Sequence, residues 1–472
     1  MRERRRYAAK SGGYQPRRFS KHPRGEVDSH TGRNERTMTD KRFHLGWFGS
    51  FVPAAWNTTF EGTDSEDWLN GDFYVDFART LERACFDFLL LEDSSMVSDT
   101  YGGSSEATLR TGGWAPKGDP MALAPLLTRA TERLGISITA STSFYPPYLL
   151  ARSIASLDHL SSGRIAWNVV TSSEDRAAQN FGMDTLPPHD ERYARADEYV
   201  GLVEQLWDSW DADAVVMDRA TSTYVDHTKV HTVDFRGKYN SSRGPLNTLP
   251  SPQGRPVITQ AGGSPAGRDF AAKHADMVMA LPKGVPAMKE YRADIRRRMV
   301  EHGRDPDSAK VMYVVSPILG ETHQDALDRK ERKADAVRAN PMGPLIGWSA
   351  SMEIDFSTFD LDKPLPEDVH TNGHQSTLEN FRKWADGRTL REACVAYRTE
   401  SMELVGTPDE VAEQMGEAMD EIGGDGFLIW SQPHNRRYIG EIADGLVPAL
   451  QRRGLMRTEY TGEHLRDHLL EF

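Results

Sequence analysis

The chain has 472 residues, of which 38% are hydrophobic and 27% charged, and its formal net charge is −13 at pH 7. This length and apolar content suffice for one large domain or for two domains with a buried core. The acidic balance argues against a nucleic-acid surface, and no apolar run reaches the roughly 18–20 residues of a membrane helix. With only two cysteines, a disulfide framework is excluded, and a globular cytoplasmic protein is expected.

The first 37 residues differ from the rest, with 11 Lys and Arg against 4 acidic residues. We expect this basic tail to be disordered, and residues 38–472 to form a single domain. The tail lacks the apolar core of a signal peptide and therefore does not indicate export. A nucleic-acid arm, a transit-like peptide and an upstream start are open interpretations; Met38, just before the first predicted strand, favours the last.

From residue 43 onward, short apolar runs alternate with amphipathic stretches, which is typical of βα units around a parallel sheet. Strands are predicted at 43–49, 86–91, 135–139, 165–170, 256–259, 276–280, 311–319 and 426–431. Helices are predicted at 73–84, 121–133, 148–160, 193–210, 266–274, 285–302, 322–339 and 438–451. This alternation predicts a (β/α)8 TIM barrel, in which the active site lies at the carboxyl ends of the strands.

Two polar stretches interrupt the alternation, near 212–250 and 340–398. The first contains hairpin-like runs, and the second is rich in Pro, Gly, Asp and His. We interpret both as loop insertions at the carboxyl end of the barrel, where they would act as lids.

The segment 260–268, QAGGSPAGR, connects a predicted strand to a predicted helix. Gly262 and Gly263 allow a close approach to the backbone, Ser264 can cap the helix, and Pro265 suits its first position. Unpaired N–H groups and the positive helix end would then face one point, which favours a bound phosphate. An ordinary strand-to-helix turn is the alternative.

Polar residues also lie at the ends of three other predicted strands. Asp93 follows FDFLLLE, Thr139 closes the third strand, and Asn168 lies in the fourth. Since the strands of such a barrel are parallel, all three are expected at one mouth. The alternatives are a turn cap for Asp93, a β-branched strand residue for Thr139 and a satisfied amide for Asn168.

His189 and Tyr193 are four residues apart at the start of a predicted helix, so they would share one face at its amino end. They could hydrogen-bond a polar ligand or form a local cap. His189 with Asp190 lacks a second histidine at helical spacing, so no metal site is predicted.

Ordered motifs carry a resemblance to a known family: FDFLLLED, TASTSFYPPYLLAR, LSSGRIAWNVVTS, HDERYARADEY, SPQGRPVITQAGGSPAGRDFAAKHAD, DGFLIW and RTEYTGEHLRDHL. Over nearly all of 43–469 the sequence resembles the flavin-dependent monooxygenases of the bacterial luciferase-like superfamily. The similarity is to the branch that contains nitrilotriacetate, EDTA and dibenzothiophene-sulfone monooxygenases. It implies a luciferase-like TIM barrel that binds FMN as FMNH2, supplied by a separate NAD(P)H-dependent flavin reductase.

The resemblance also assigns roles to residues. Asn168 and Thr139 would line the catalytic oxygen pocket, and the flavin contacts would be Asp93, Thr139, His189, Tyr193, Gly263 and Ser264. One atom of O2 would pass to a small organic substrate through a flavin (hydro)peroxide, with the C4a and N5 adducts both open. A homodimer or homotetramer is implied.

An aromatic set near the predicted mouth would suit an apolar or aromatic substrate, and an aromatic sulfone, a halogenated aromatic and a long-chain alkane all stay open. It comprises Trp47, Phe48, Trp56, Phe144, Tyr145 and Tyr148, although packing of the barrel rim explains these residues equally well. Two other classes stay open: an F420-dependent luciferase-like oxidoreductase, and a non-flavin barrel hydrolase or binding protein.

Overall fold

The computed structural model describes residues 42–55, 67–112, 114–396, 400–431 and 434–472; the predicted basic tail and Trp56 lie outside these ranges. Eight parallel strands form a closed barrel, in which each strand pairs with the next and the last pairs with the first. They are β1 (His44–Ser50), β2 (Phe88–Glu92), β3 (Gly135–Ser141), β4 (Ile165–Val170), β5 (Val257–Gln260), β6 (Met277–Ala280), β7 (Lys310–Val315) and β8 (Gly426–Trp430). The predicted (β/α)8 barrel is therefore confirmed.

The helices from the first strand to the sixth are α1 (Asp72–Arg83), α2 (Glu106–Thr111), α3 (Pro120–Ala130), α4 (Pro147–Ser161), α5 (Asp175–Asn180), α6 (His189–Trp207) and α7 (Pro265–His274). The remaining helices are α8 (Val285–Glu301), α9 (His323–Ala339), α10 (Met342–Met352), α11 (Gln375–Ala385), α12 (Leu390–Ala396), α13 (Pro408–Ile422), α14 (Arg436–Gly440), α15 (Val447–Arg452) and α16 (Leu465–Leu469). Within the described ranges, none of these helices combines the length and apolar character needed to cross a membrane.

Side chains on the barrel strands alternate between the interior and the surrounding helices, as the two-residue period of a strand requires. Phe88, Met312 and Leu428 are among the residues that fill the interior. Trp47 points to the helix side, where its ring lies 5.1 Å from that of Phe77, and it is fully buried. The interpretation of Trp47 as a mouth residue is therefore wrong, because its position in β1 directs it into the helical layer.

The chain between β7 and β8 differs from the sequence prediction. The strand expected at 311–319 is two strands: β7 ends in the barrel, and Ile318–Leu319 pairs outside it with Val405–Gly406. The helix predicted at 322–339 is α9, which packs on this outer pair and on α12. The helix that covers the barrel before β8 is instead α13, which contacts α8 and α15. Its capping box of Thr407 and Glu410 is a start signal in the sequence for which no helix was predicted.

We call residues 316–404 the β7 insertion, because they leave the barrel after β7 and return before α13. Helices α10, α11 and α12 enclose a separate apolar core that includes Leu345, Trp348, Met352, Phe356, Phe381 and Leu390. Because this core buries its own side chains, the described part of the insertion keeps a defined shape at the carboxyl side of the barrel.

The segment 212–250 contains two antiparallel pairs, Val215–Asp218 with Thr223–Val225 and Phe235–Arg236 with Ser241–Ser242. It connects the end of α6 to the start of β5, so it leaves from the amino side of the barrel rather than from the mouth. Its backbone N–H groups at 238–240 donate to Glu198 in the middle of α6. The segment therefore covers the outside of α6, and its interpretation as a lid over the mouth is wrong.

The carboxyl-terminal segment closes the amino end of the barrel. Leu465 and Leu469 are buried among the interior side chains. Arg457 is 2% exposed and forms an ion pair with Asp87 at 2.7 Å. The motif RTEYTGEHLRDHL thus has a structural role, since it seals the barrel at the end opposite to the mouth.

Replacing Leu465 with Ala should destabilise the protein, because the cavity would open at the base of a closed barrel. A loss of about 2–5 kcal/mol in the free energy of unfolding is expected from urea denaturation. Leu470 is 53% exposed and provides the control, for which Leu470→Ala should cost under about 0.5 kcal/mol. Similar losses in both variants would contradict the sealing role.

Candidate functional site

A chain of polar side chains crosses the interior of the barrel between three neighbouring strands. Strand pairing places Thr139 opposite Asn168 and Asn168 opposite Thr259. The Asn168 Nδ2 donates to Thr139 Oγ1 at 2.8 Å, and the Thr259 hydroxyl donates to Asn168 Oδ1 at 3.3 Å. Ser137 and Thr259 share a further hydrogen bond of 3.0 Å. These contacts fix the plane of the Asn168 amide.

This row of hydrogen-bonded side chains leaves two hydrogen-bond donors free on the mouth side. The Thr139 hydroxyl accepts from Asn168, and within the described ranges its own hydrogen has no acceptor. The second N–H of the Asn168 amide likewise has no acceptor there. Since both residues are at most 4% exposed, a ligand entering the mouth would meet two oriented donors in a place with little water.

Asp93 follows the last residue of the neighbouring strand, β2, and its side chain is partly buried. The pKa of Asp93 is raised to about 7, mainly by burial; Lys117 lowers it, and the charges of Glu92 and Asp119 add to the rise. The Lys117 ammonium donates to both carboxylate oxygens of Glu92 at 3.0 and 2.9 Å. The lysine charge is thereby held mainly by Glu92, so Asp93 can exchange a proton near neutral pH.

The other predicted residues meet where α6 and α7 begin. Ser264 caps α7 by accepting the N–H of Gly267 at 3.1 Å, and it lies 3.3 Å from His189 Nε2. The rings of His189 and Tyr193 are 5.0 Å apart. Burial raises the pKa of Tyr193, although Gln260 and Ser264 counteract it, so the phenol stays protonated at neutral pH and is able to donate.

The two glycines of this loop are required by close packing. A Cβ at Gly262 would lie 2.5 Å from the carbonyl oxygen of Gly267, and one at Gly263 would lie 2.7 Å from Ser376 Oγ. Within the described ranges, the N–H groups of Gly263 and Ser264 have no acceptor. This is a cradle of free backbone donors at a helix amino end, which is a suitable site for an anionic group.

The structure places the predicted residues in two groups. Asp93, Thr139 and Asn168 lie around the interior, and His189, Tyr193, Gly263 and Ser264 lie at the start of α6 and α7. Strand β5 connects the groups, because Thr259 belongs to the first and its neighbour Gln260 contacts the second. The predicted residues thus lie in two groups at the carboxyl ends of β2 to β5, and the adjacent residues Thr259 and Gln260 each contact one of the groups.

Two residues near these groups were not predicted. Gln260 is 4% exposed, and its Oε1 has no partner in the described ranges although it lies at the cradle. Arg192 is 2% exposed and also belongs to the amino end of α6. Arg192 follows His189 by three residues, and this helical spacing was a signal in the sequence.

The remaining aromatic candidates have different positions. Phe144 stacks on Phe181 with ring centroids 4.4 Å apart. Phe48 packs against the barrel interior, and Tyr145 and Tyr148 pack against the main core. Rim packing therefore accounts for these contacts, and the substrate preference drawn from the set stays a prediction.

A cavity of about 600 Å³ opens at the opposite end, beside the starts of β5 and β6. Its charged side chains are already engaged with one another: Arg466 binds Asp276 at 2.9 Å, and Arg255 pairs with Asp208. In a TIM barrel this amino-terminal face serves stability, so we locate the functional site at the carboxyl ends of the strands.

Replacing Asp93 with Asn should remove a pH-dependent destabilisation. The folded chain holds the Asp93 proton up to about pH 7, whereas the unfolded chain releases it near the ordinary aspartate pKa of 3.8. Rising pH between these values therefore favours the unfolded chain, by at most about 1.4 kcal/mol per pH unit. Urea denaturation should show the variant gaining more stability over the wild type at pH 8 than at pH 5.

The exposed Asp184 supplies the control for this measurement. Asp184→Asn should change the free energy of unfolding little at either pH. If the free energy of unfolding changes with pH in the same way for Asp93→Asn and Asp184→Asn, the proton held by Asp93 does not cause the pH dependence.

Known proteins resemble this chain over almost its whole length. The family model described as luciferase-like monooxygenase matches residues 44–426. A dibenzothiophene-sulfone monooxygenase of Rhodococcus erythropolis (strain XP) is 38% identical over 447 residues, covering 92% of this chain and 97% of its own. Nitrilotriacetate monooxygenase component A of Aminobacter aminovorans is 36% identical, covering 84% of this chain and 89% of its own.

A solved structure agrees with the sequence matches. The crystal structure of a riboflavin lyase with modified FMN and riboflavin has a TM-score of 0.81 and 30% identity, and it covers 91% of this chain and 96% of that one. The closed barrel, the family match and these relatives lead to one conclusion: the chain belongs to the luciferase-like monooxygenase family.

Proposed function

We propose that this protein is a two-component monooxygenase that binds FMNH2 and uses O2 to oxygenate a small organic substrate. The observation that carries the proposal is the cradle at Gly263 and Ser264, which lies at the same end of the barrel as the interior donors Thr139 and Asn168. Reduced flavin, when bound, supplies the electrons for oxygen activation. The protein supplies binding, orientation, proton positions and a site that excludes water.

The phosphate of the flavin fits the cradle. Ser264 offers its hydroxyl and backbone N–H, Tyr193 offers a protonated phenol, and the amino end of α7 offers positive potential. A solved relative whose title names modified FMN supports a flavin as this ligand.

The residues around the barrel interior, Asp93, Thr139 and Asn168, are suited to oxygen activation. The free donors of Thr139 and Asn168 would hydrogen-bond a reduced oxygen species as its negative charge develops. Asp93, whose pKa is about 7, would hold or release a proton near the same mouth.

The partner would be a separate NAD(P)H-dependent flavin reductase. A relative with 36% identity is named component A of a nitrilotriacetate monooxygenase, which indicates a system with a second component. We propose that the present chain likewise works with a second component. We also propose a cytoplasmic location, in keeping with two cysteines that are both free. Assembly into a homodimer or homotetramer is part of the same proposal.

For the substrate we propose a small apolar or aromatic compound, with a sulfone or halogenated aromatic as the first to test. The support is a relative with 38% identity named for dibenzothiophene sulfone. Product analysis with a panel of such compounds, a flavin reductase and NADH tests this proposal directly.

Replacing Ser264 with Asp should weaken FMN binding at least about tenfold, because a carboxylate would face the phosphate dianion. Asp is as good a helix cap as Ser, so folding should be unaffected. Ser264→Ala, which adds no charge, should cost only on the order of 1 kcal/mol of binding. Fluorescence titration with FMN measures both variants; equal affinity of Ser264→Asp and the wild type would remove this loop from the site.

Replacing Asn168 with Ala should lower product yield per reduced flavin while leaving FMN affinity within about twofold, since the lost donor faces oxygen. Ser137 lies one layer deeper in the same hydrogen-bonded chain, so Ser137→Ala is the control. Single-turnover product yield with anaerobically bound FMNH2 and an oxygen pulse distinguishes them. A normal yield from Asn168→Ala would contradict its proposed role.

The function as a whole is tested by anaerobic titration of the purified protein with FMNH2, FMN and F420, followed by aeration. Preferential binding of FMNH2 with oxygen-dependent product formation is expected. Turnover of F420 without oxygen would favour the oxidoreductase alternative, and failure to bind any flavin would favour the hydrolase or binding-protein alternative.

A further inference from the structure

The β7 insertion reaches the phosphate cradle through helix α11. The Ser376 side chain approaches Gly263 so closely that a Cβ there would lie 2.7 Å from Ser376 Oγ and 2.9 Å from its Cβ. The loop on β5 and the first turn of α11 are therefore in direct contact. No role was predicted for this helix from the sequence.

The amino end of α11 presents further unpaired donors at this contact. The helix has 11 residues, and the N–H groups of Gln375 and Ser376 have no acceptor within the described ranges. His374, the residue before the helix, offers no side-chain cap. The amino ends of α6, α7 and α11 thus converge on the loop that contains Gly263, and their positive potentials add there.

A buried cation beside α11 independently indicates an anionic ligand. Arg192 donates to the carbonyl oxygens of Pro187 and Asn372, each at 3.1 Å, and its Nε has no partner. None of its contacts within the described ranges is to a carboxylate. This guanidinium is 2% exposed and forms no direct ion pair in the described ranges. The more distant carboxylates of Glu174, Asp175 and Glu353 compensate its charge only in part, and a bound anion would offset the remaining cost.

We propose that the β7 insertion supplies the second half of the phosphate site, with Ser376 and the first turn of α11 facing the loop of Gly263 and Ser264, and with Arg192 as the neutralising charge. The inference rests on the proposed flavin function and adds a binding residue to it. The bond from Arg192 to Asn372 holds the segment before α11 against α6. A bound phosphate would therefore add a further connection between the insertion and the loop of Gly263 and Ser264, and would strengthen the contact that they already make.

The test compares the binding of FMN with that of riboflavin, which lacks the phosphate, in the full-length wild type and three full-length variants. Ser376→Asp should weaken FMN binding at least about tenfold by charge repulsion, and Ser376→Ala should weaken it about threefold. Both variants should bind riboflavin within about twofold of the wild type. Ser357→Asp adds the same charge at an exposed position of the same insertion and should bind both flavins normally.

The outcomes separate the inference from the function on which it rests. One outcome would overturn the inference alone. In it, the wild type binds FMN more tightly than riboflavin, but Ser376→Asp and Ser357→Asp bind FMN with equal affinity. Equal losses for FMN and riboflavin would also overturn it, since Ser376 would then support the fold and not the phosphate. A wild type that binds neither flavin would overturn the proposed function itself.

A second measurement tests whether a bound phosphate strengthens the contact between the β7 insertion and the loop of Gly263 and Ser264. FMN or inorganic phosphate should protect the β7 insertion of the wild type from limited proteolysis, and riboflavin should not. Ser376→Asp should lose this protection. Protection by riboflavin equal to that by FMN would show that the phosphate does not strengthen this contact.

Discussion

The register of the closed parallel barrel is the constraint on which the site depends. It places Thr139, Asn168 and Thr259 side by side on β3, β4 and β5, where each side chain fixes the next. A closed barrel has no free edge, so one strand cannot slip without disturbing its neighbours. The loops after these strands therefore begin from fixed points, and the starts of α6 and α7 meet at Ser264.

Unsatisfied polar groups explain why the surface around β5 suits a charged ligand. Free N–H groups at Gly263 and Ser264 lie at the amino end of α7, and the guanidinium of Arg192 lies at the amino end of α6. Buried groups of this kind normally find partners, and leaving them open costs stability. The amino-end cavity is different, because Arg466 and Arg255 there are already paired with acids.

Local sequence signals made much of the fold and part of the candidate site predictable. The strand and helix periodicities gave the barrel, and the glycines with Ser264 gave the cradle, because both depend on residues adjacent in the chain. Contacts between distant segments were not predictable in this way. Ser376 carries no local signal for meeting Gly263, and the outward position of Trp47 depends on the register of β1. The helix α13 was missed although its capping box is local, because a long polar insertion precedes it.

A crystal structure of the protein with FMN tests the central claim most directly. The account predicts the phosphate at the loop of Gly263 and Ser264, within hydrogen-bond reach of Ser264 Oγ, with the ring system toward Thr139 and Asn168. A phosphate bound elsewhere, for example in the amino-end cavity beside Arg255, would contradict it.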